Sequence, residues 1–242
     1  MSNEEPKHLV NFSPSFRARR ATDLLPPASA GNEPLIVDVA ERGIGKFVFE
    51  LENSSFTGIL KASSRKKLSR SAMLLYRGRA VGGFYTSKEK PNTETTEISV
   101  YLMLWELSLS GTEASIYAVS SDILLSMSSL FLGFPVTRAD SYDERSYFDY
   151  ICGWLQEKKM TACLAISLRS TSSTALAFIH EGEFCGVFSV DDQFFTRDKE
   201  YLYSLFRSEL KALVETSILS PETTSSEMPY GFSLSKMLNK FM

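Results

Sequence analysis

The 242-residue chain is short of the side chains that metal binding and nucleophilic catalysis use most often. It holds two histidines, His8 and His180, and three cysteines, Cys152, Cys163 and Cys185. An odd number of cysteines with no close pair offers no disulfide framework and suits a reducing compartment. Charge of one sign is lacking too: 26 Lys+Arg against 29 Asp+Glu leave a net charge of -3. No global field therefore draws the chain to nucleic acid or an anionic membrane, and any such binding must be local. Long apolar runs are absent, since residues 98–109 are broken by Glu106 and Ser108 and fall short of the ~20 residues of a membrane span. Residues 1–10 carry Glu4, Glu5 and Lys7 where a secretory signal carries an apolar core. These absences predict a cytoplasmic protein with no membrane span. What is present, 43% hydrophobic and 23% charged residues, suits one large globular domain or two small ones.

Residues 1–33 hold Pro6, Pro14, Pro26 and Pro27 and a basic cluster of Arg17, Arg19 and Arg20, without a sustained period. They read as a flexible arm, in which residues 21–25 offer Leu24 and Leu25 to some surface. Residues 220–231, rich in Ser, Thr and Pro, read as a linker. Beyond it, Leu234, Met237, Leu238 and Phe241 recur at i, i+3, i+4 and i+7, with Ser233 or Ser235 as N-cap, which predicts a short amphipathic helix.

Between these ends the chain repeats itself. An ungapped shift of 104 residues places Leu51 on Leu155, Thr57 on Thr161, Leu60 on Leu164, Gly78 on Gly182, Gly82 on Gly186 and Phe84 on Phe188. Ser63, Arg65 and Ser69 fall on Ser167, Arg169 and Ser173. Those nine identities over residues 51–84 compare with about 2 to 3 expected by chance at average composition. Each copy reads helix, strand, polar loop, strand, tight glycine turn, strand, and then a further helix. At Arg77-Gly78-Arg79 and Glu181-Gly182-Glu183 the chain reverses at a glycine, which takes positive φ without steric cost. The fold class expected is α+β: two related units, residues 34–136 and 137–219, each a small antiparallel sheet covered by helices. In the first, Ile98, Leu102 and Trp105 mark the helix after the hairpin. In the second, Leu202, Leu205 or Phe206, Leu210 and Leu213 do so. Only the first copy shows a closing strand, residues 113–119, followed by a helix capped by Ser121 or Asp122 and ended at Gly133.

In Phe47 to Leu51 followed by Thr57-Gly58-Ile59-Leu60, a helix and then a "TGxL" strand, lies a resemblance of the first copy to the PATAN domain of bacterial signalling proteins. It continues in Leu74-Leu75-Tyr76-Arg77-Gly78-Arg79-Ala80-Val81, in Tyr101-Leu102-Met103-Leu104-Trp105, similar to its "LLxW" helix, and in Ile123-Leu124-Leu125-Ser126-Met127. It covers residues 35–133. The second copy keeps Thr161, Leu164 and Gly182 but has Ala162 for the glycine. What the resemblance implies is a non-catalytic module of bacterial signalling and motility systems that binds other proteins, with no cofactor.

Candidate chemistry is sparse. Cys152, Cys163, His180 and Cys185 could ligate zinc, but no CxxC knuckle is present and strand alternation lets the thiols sit as small core residues. Arg77-Gly78-Arg79-Ala80-Val81-Gly82-Gly83 lies in a hairpin without a following Lys-Ser/Thr, unlike a phosphate-binding loop. Asp191, Asp192, Asp198 and Glu200 read as an acidic helix start, or else as a weak cation site. No catalytic or metal-binding residue is therefore assigned. Lys61, Arg65, Lys66, Lys67 and Arg70 form a basic loop expected close to Arg77 and Arg79, seven positive charges at one end of a sheet, which reads as a solvated face or as a surface for an acidic partner. No aromatic is interleaved for base stacking, so nucleic acid is not the expected partner. The hairpin tips differ in sign, Arg77 and Arg79 against Glu181 and Glu183, which suggests self-association or oriented protein contacts. The terminal stripe of Leu234, Met237, Leu238 and Phe241 must bind its own domain, a second copy, a partner's groove or a membrane surface, because about ten residues are too few for a stable free helix. The leading expectation is a protein-binding adaptor, and the alternative is a small-ligand or nucleotide sensor with a cleft between the two units.

Overall fold

The computed structural model describes residues 25–28, 33–89, 95–136, 143–168, 171, 173–208, 212–220 and 230–241. Two six-stranded antiparallel sheets carry the chain. The first unit runs β1 (Leu35–Val37), α1 (Val39–Arg42), α2 (Ile44–Asn53), β2 (Gly58–Ser64), β3 (Ser69–Tyr76), β4 (Arg79–Thr86), α3 (Thr96–Leu107), β5 (Thr112–Ala118) and α4 (Ser121–Leu132). The second runs β6 (Phe134–Pro135), α5 (Glu144–Glu157), β7 (Ala162–Leu168), β8 (Ser173–His180), β9 (Glu183–Ser189), β10 (Phe194–Thr196), α6 (Lys199–Ser208) and β11 (Leu213–Ile218). The chain then returns to the first sheet with β12 (Phe232–Ser233) and α7 (Leu234–Phe241).

Strand order is β1-β5-β2-β3-β4-β12 in one sheet and β6-β11-β7-β8-β9-β10 in the other, so the central four strands match, while the edges beside β4 and β9 differ: β12 pairs with the start of β4 and β10 with the end of β9. The 104-residue shift also holds in detail. Gly58 pairs with Leu75 and Ala162 with Ile179, and each β3–β4-type hairpin has a bulge at the shifted position, Leu74/Leu75 and Phe178/Ile179. Both two-residue tips have positive φ at both positions, Arg77 and Gly78 in one, Glu181 and Gly182 in the other, the geometry of a type I′ turn. Each tip is tied down alike: Gly78 N–H donates to Phe56 O and Arg77 N–H to Thr57 Oγ1, while Gly182 N–H donates to Met160 O and Glu181 N–H to Thr161 Oγ1. A Cβ on Gly78 would stand 2.6 Å from Glu52 Cα, and one on Gly182 2.8 Å from Gln156 Cα. The glycines thus serve both a left-handed turn and a close approach to the end of the preceding helix.

The second unit does have a closing strand, contrary to the sequence expectation. β11 pairs with β7 as β5 pairs with β2: Thr216 lies opposite Leu164 and Ile116 opposite Leu60. The offset there is 100 residues, so the connection is four residues shorter and an ungapped shift hides the strand. Leu213, expected on the helix, belongs to this strand, while α6 ends at Ser208. Leu210 lies outside the described residues.

Helices cover both faces of both sheets, so strand residues on either side are buried. An inner core joins Ile59, Leu74, Val81, Phe84 and Tyr117 of the first sheet with Cys163, Leu176, Phe178 and Phe188 of the second, through Leu124, Met127 and Phe131 of α4. That helix is buried on nearly every side, and its serines let both sheets approach. Ser126 Oγ donates to Ile179 O of the second sheet at 2.8 Å. Because α4 serves both inner faces, the second unit needs no helix of its own there. Leu25 of the arm is fully buried in the same core, and Tyr117 OH donates to Pro26 O at 2.8 Å. Leu24 and residues 221–229 of the linker lie outside the described residues.

The outer face of the first sheet carries α2, α3 and α7, and that of the second α5 and α6. On α3 the buried side is Val100, Met103, Leu104 and Leu107, whereas Ile98 and Trp105, expected to mark the core stripe, are 41% and 44% exposed. The helix is apolar almost all round, so periodicity alone does not select its inner side.

Candidate protein-binding groove

The terminal helix docks on its own chain. Leu234 and Met237 are buried in the outer core of the first unit between α2 and α3, and Leu238 packs against it partly exposed. Burying two such side chains contributes roughly 1.5–3 kcal/mol each. The side chain of Phe241 lies outside the described residues. Ser233 caps the helix, its Oγ accepting from Lys236 N–H at 3.3 Å. Glu52 at the end of α2 accepts from Ser233 Oγ at 2.9 Å and from Ser235 N–H at 3.1 Å. Burial alone would raise the Glu52 carboxyl, and the hydrogen bonds from Ser235, Ser233 and Leu234 together bring it below its ordinary value. Arg79 grips the strand that leads in, donating from Nε to Tyr230 O at 3.1 Å and from a terminal nitrogen to Gly231 O at 2.6 Å. Phe232 and Ser233 pair with Ala80 and Arg79 along the edge of β4.

Among the described residues no segment fills the equivalent place in the second unit. Between α5 and α6, over the start of β9, lies a cleft of about 390 Å³. Its floor includes Phe148, Ile179, Phe184 and Leu202, and its rim Asp149, Gln156, Glu183 and Lys199. Under the 104-residue shift Gln156 stands where Glu52 caps α7, Glu183 where Arg79 grips the lead-in strand, and Phe184 where Ala80 pairs with it. The edge strand β10 pairs with β9 only at Val187, Phe188 and Ser189, so among the described residues no strand lies beside Glu183 and Phe184. Phe148 and Tyr203 meet edge-to-face at 6.0 Å, and with Phe184 they give this cleft an aromatic lining. Gly153, in the interior of α5, lines the cleft, and a Cβ there would have nothing within 4 Å. A helix-interior glycine costs about 0.5–1 kcal/mol relative to alanine, and the fold itself does not require it.

The other candidate residues are dispersed. Arg65, Lys66, Lys67 and Arg70 lie at the β2–β3 hairpin, while Arg77 and Arg79 lie at the opposite end of β3, an eight-residue strand of roughly 25 Å. The expected cluster of seven charges therefore does not form, because successive hairpins turn at opposite ends of a sheet. Arg65 pairs with Glu113 at 3.5 Å, and Lys67 Nζ sits 3.3 Å from the centre of the Trp105 ring. Lys66 and Arg70 are exposed. Arg79, expected at a free tip, is turned inward onto the C-terminal segment. Arg77 is exposed with its guanidinium 5.2 Å from the Tyr76 ring centre, and Glu181 and Glu183 are exposed at the matching tip.

Cys163 and Cys185 belong to the inner core, and Cys152 to the outer face of the same sheet. Burial pushes the Cys152 and Cys185 thiols up to about 11 and Cys163 further still, so all three are protonated at neutral pH. His180 Nδ1 faces Thr161 Oγ1 at 3.2 Å. Among the described residues no three His, Cys, Asp or Glu side chains converge as a metal site would require. Asp198 caps α6, accepting from Glu200 N–H at 2.9 Å, Asp191 accepts from Thr174 N–H, and Asp192 from Ser189 Oγ.

Sequence reasoning missed Glu106. Its side chain is 2% exposed and accepts from Tyr85 OH at 2.6 Å and from Ser69 Oγ. Burial, then the bonded carboxylate, pushes the Tyr85 phenol well up. A lone carboxylate within the apolar stretch 98–109 was the available signal. The cluster pins α3 to the β2–β3 end of the sheet and is sealed from solvent.

Set against protein-family models, curated proteins and solved structures, the chain finds no match in any of the three comparisons. Among the described residues no helix is long and apolar enough to cross a membrane.

Proposed function

We propose that the chain is a non-catalytic adaptor that works by binding other proteins, in the cytoplasm of a bacterial signalling or motility system. The observation that carries this reading is the pair of grooves: one is filled by a polypeptide segment, α7 with its lead-in strand, and its counterpart in the second unit is filled by no segment among the described residues. A scaffold that already holds a strand-and-helix element in one groove has the geometry for another in the second. The PATAN resemblance of the first unit supports the same class of role. The titratable groups support it as well: the thiols are held protonated, and Glu106 is enclosed by its two hydroxyl partners. Self-association through the oppositely charged tips, Arg77 against Glu181 and Glu183, belongs to this reading.

The reading as a small-ligand or nucleotide sensor draws on the cleft volume, which falls at the low end of small-molecule sites. Its cleft, however, lies within the second unit, and the space between the units is filled by α4 and the inner core. Affinity capture with the intact chain from its native source, followed by reconstitution with purified candidates, is the test. A specific protein that binds the purified chain supports the adaptor. Thermal shifts with nucleotides or metabolites and no protein partner would replace it with the sensor.

A further inference from the structure

We infer that the α5/α6 groove of the second unit binds an amphipathic helix of a partner protein, led in by a short extended segment that carries a basic residue. The inference rests on the adaptor reading and specifies which surface performs it and what chemistry the partner brings.

The first unit provides the template. There the occupant lies between the two outer helices, places two apolar side chains on the sheet, and meets Glu52 with its first amides and Arg79 with its lead-in carbonyls. In the second unit each of these features has a counterpart with altered chemistry. Gln156 can still accept from a helix N-terminus, but it brings no charge. Glu183, exposed, replaces Arg79 and cannot donate to a carbonyl, so a segment like residues 230–231 would set its carbonyl oxygens against a carboxylate. The exchange disfavours the chain's own tail in this groove and favours a lead-in that presents Lys or Arg. Asp149 on the rim and Glu181 at the adjoining tip add to the negative field, with Lys199 opposing it.

Gly153 is a second observation pointing the same way. It lies on the open side of α5, exposed and lining the cleft, where the shifted residue in the first unit is Phe49, 66% exposed. Nothing inside the fold demands a missing side chain there. The missing side chain leaves open space over α5 at the cleft, where an occupant can come close to the helix backbone. The floor already holds Phe148, Phe184 and Tyr203, so the occupant rides higher than α7 does and contacts α5 at Gly153.

The test uses the intact chain and two synthetic peptides: the 230–242 sequence itself, and the same sequence with Tyr230→Arg. The chain's own segment keeps the first groove occupied at a high effective concentration, so added peptide reports on the second. The Tyr230→Arg peptide is expected to bind at least fivefold tighter than the unaltered one and to shift backbone amide resonances of Gly153, Gln156 and Phe184. Glu183→Arg in the chain should reverse that preference. Gly153→Phe should leave the melting temperature unchanged or raised and weaken peptide binding at least tenfold. No binding by either peptide at millimolar concentration, shifts confined to α2 and α3, or binding indifferent to both substitutions would overturn the inference. Protein partners captured equally by wild type and Gly153→Phe would remove the groove from the account while leaving the adaptor reading in place. A small molecule found in the cleft, with no protein captured, would end both.

Discussion

The two units share the order of their central four strands, hairpin register, bulge and turn, yet their outer grooves have opposite fates, one closed by the chain's own last helix and one filled by no segment among the described residues. The difference comes down to a few positions. Where the first unit has Glu52, Arg79 and Ala80, it can cap a helix, hold two carbonyls and admit a strand. Where the second has Gln156, Glu183 and Phe184, it offers an uncharged cap acceptor, no donor for a lead-in carbonyl and a phenylalanine in the lining. A duplicated scaffold can therefore keep its framework and change what it holds by altering the rim.

The shared framework is tested by its turns, where the largest effects are expected. Gly78→Val and Gly182→Val should each cost at least about 2 kcal/mol in thermal or denaturant unfolding, since both combine positive φ with a close approach to helix backbone. Loss at one site and tolerance at the other would break the equivalence of the two hairpins.

Next in size is the contact that distinguishes the units. Leu234→Ala removes a fully buried side chain from the outer core of the first unit and should cost about 2–4 kcal/mol. Unchanged melting would mean that α7 does not close the first groove in solution.

Glu52→Gln gives the first unit the residue of the second and should loosen α7 by about 1 kcal/mol, read as faster amide exchange in α7. The same carboxyl sets a pH dependence. Its folded pKa is below its unfolded value, so its contribution is complete above the ordinary carboxylate range and is lost as pH falls through the lowered folded value. Docking of α7 should weaken on acidification in the wild type, and this part of the weakening should be absent in Glu52→Gln. Equal acid sensitivity would assign the effect to other groups.

The smallest effect concerns the tips. Arg77→Glu should leave stability within about 0.5 kcal/mol, the range for surface positions. Any self-association seen by sedimentation at low salt should decrease in this variant and in wild type at high salt. Identical behaviour of both proteins at both salt concentrations would show the tips to be solvated turns.

Much of this fold is legible in the sequence. Glycines at matched turns and apolar strands at a constant spacing announced the duplication, because those residues answer local backbone and packing demands. The apolar stripe of α7 announced a helix that needed a surface. What stayed hidden depended on distant parts of the chain. The closing strand β11 was masked by a four-residue shortening, and the inner side of α3 by apolar residues all round the helix. Arg79 looked like a solvent-exposed charge because its acceptors lie 151 and 152 residues away in sequence. The open groove has no sequence signature of its own; it emerges only when the second unit is laid over the first and the missing helix is noticed.

Hydrogen exchange of the intact chain, compared with a chain lacking residues 230–242, tests the central claim most directly. The account predicts that the truncation raises exchange in α2, α3 and the Arg79–Ala80 edge of β4, and leaves α5, α6 and the start of β9 as they were. Equal change in both units, or no change around the first groove, would contradict it.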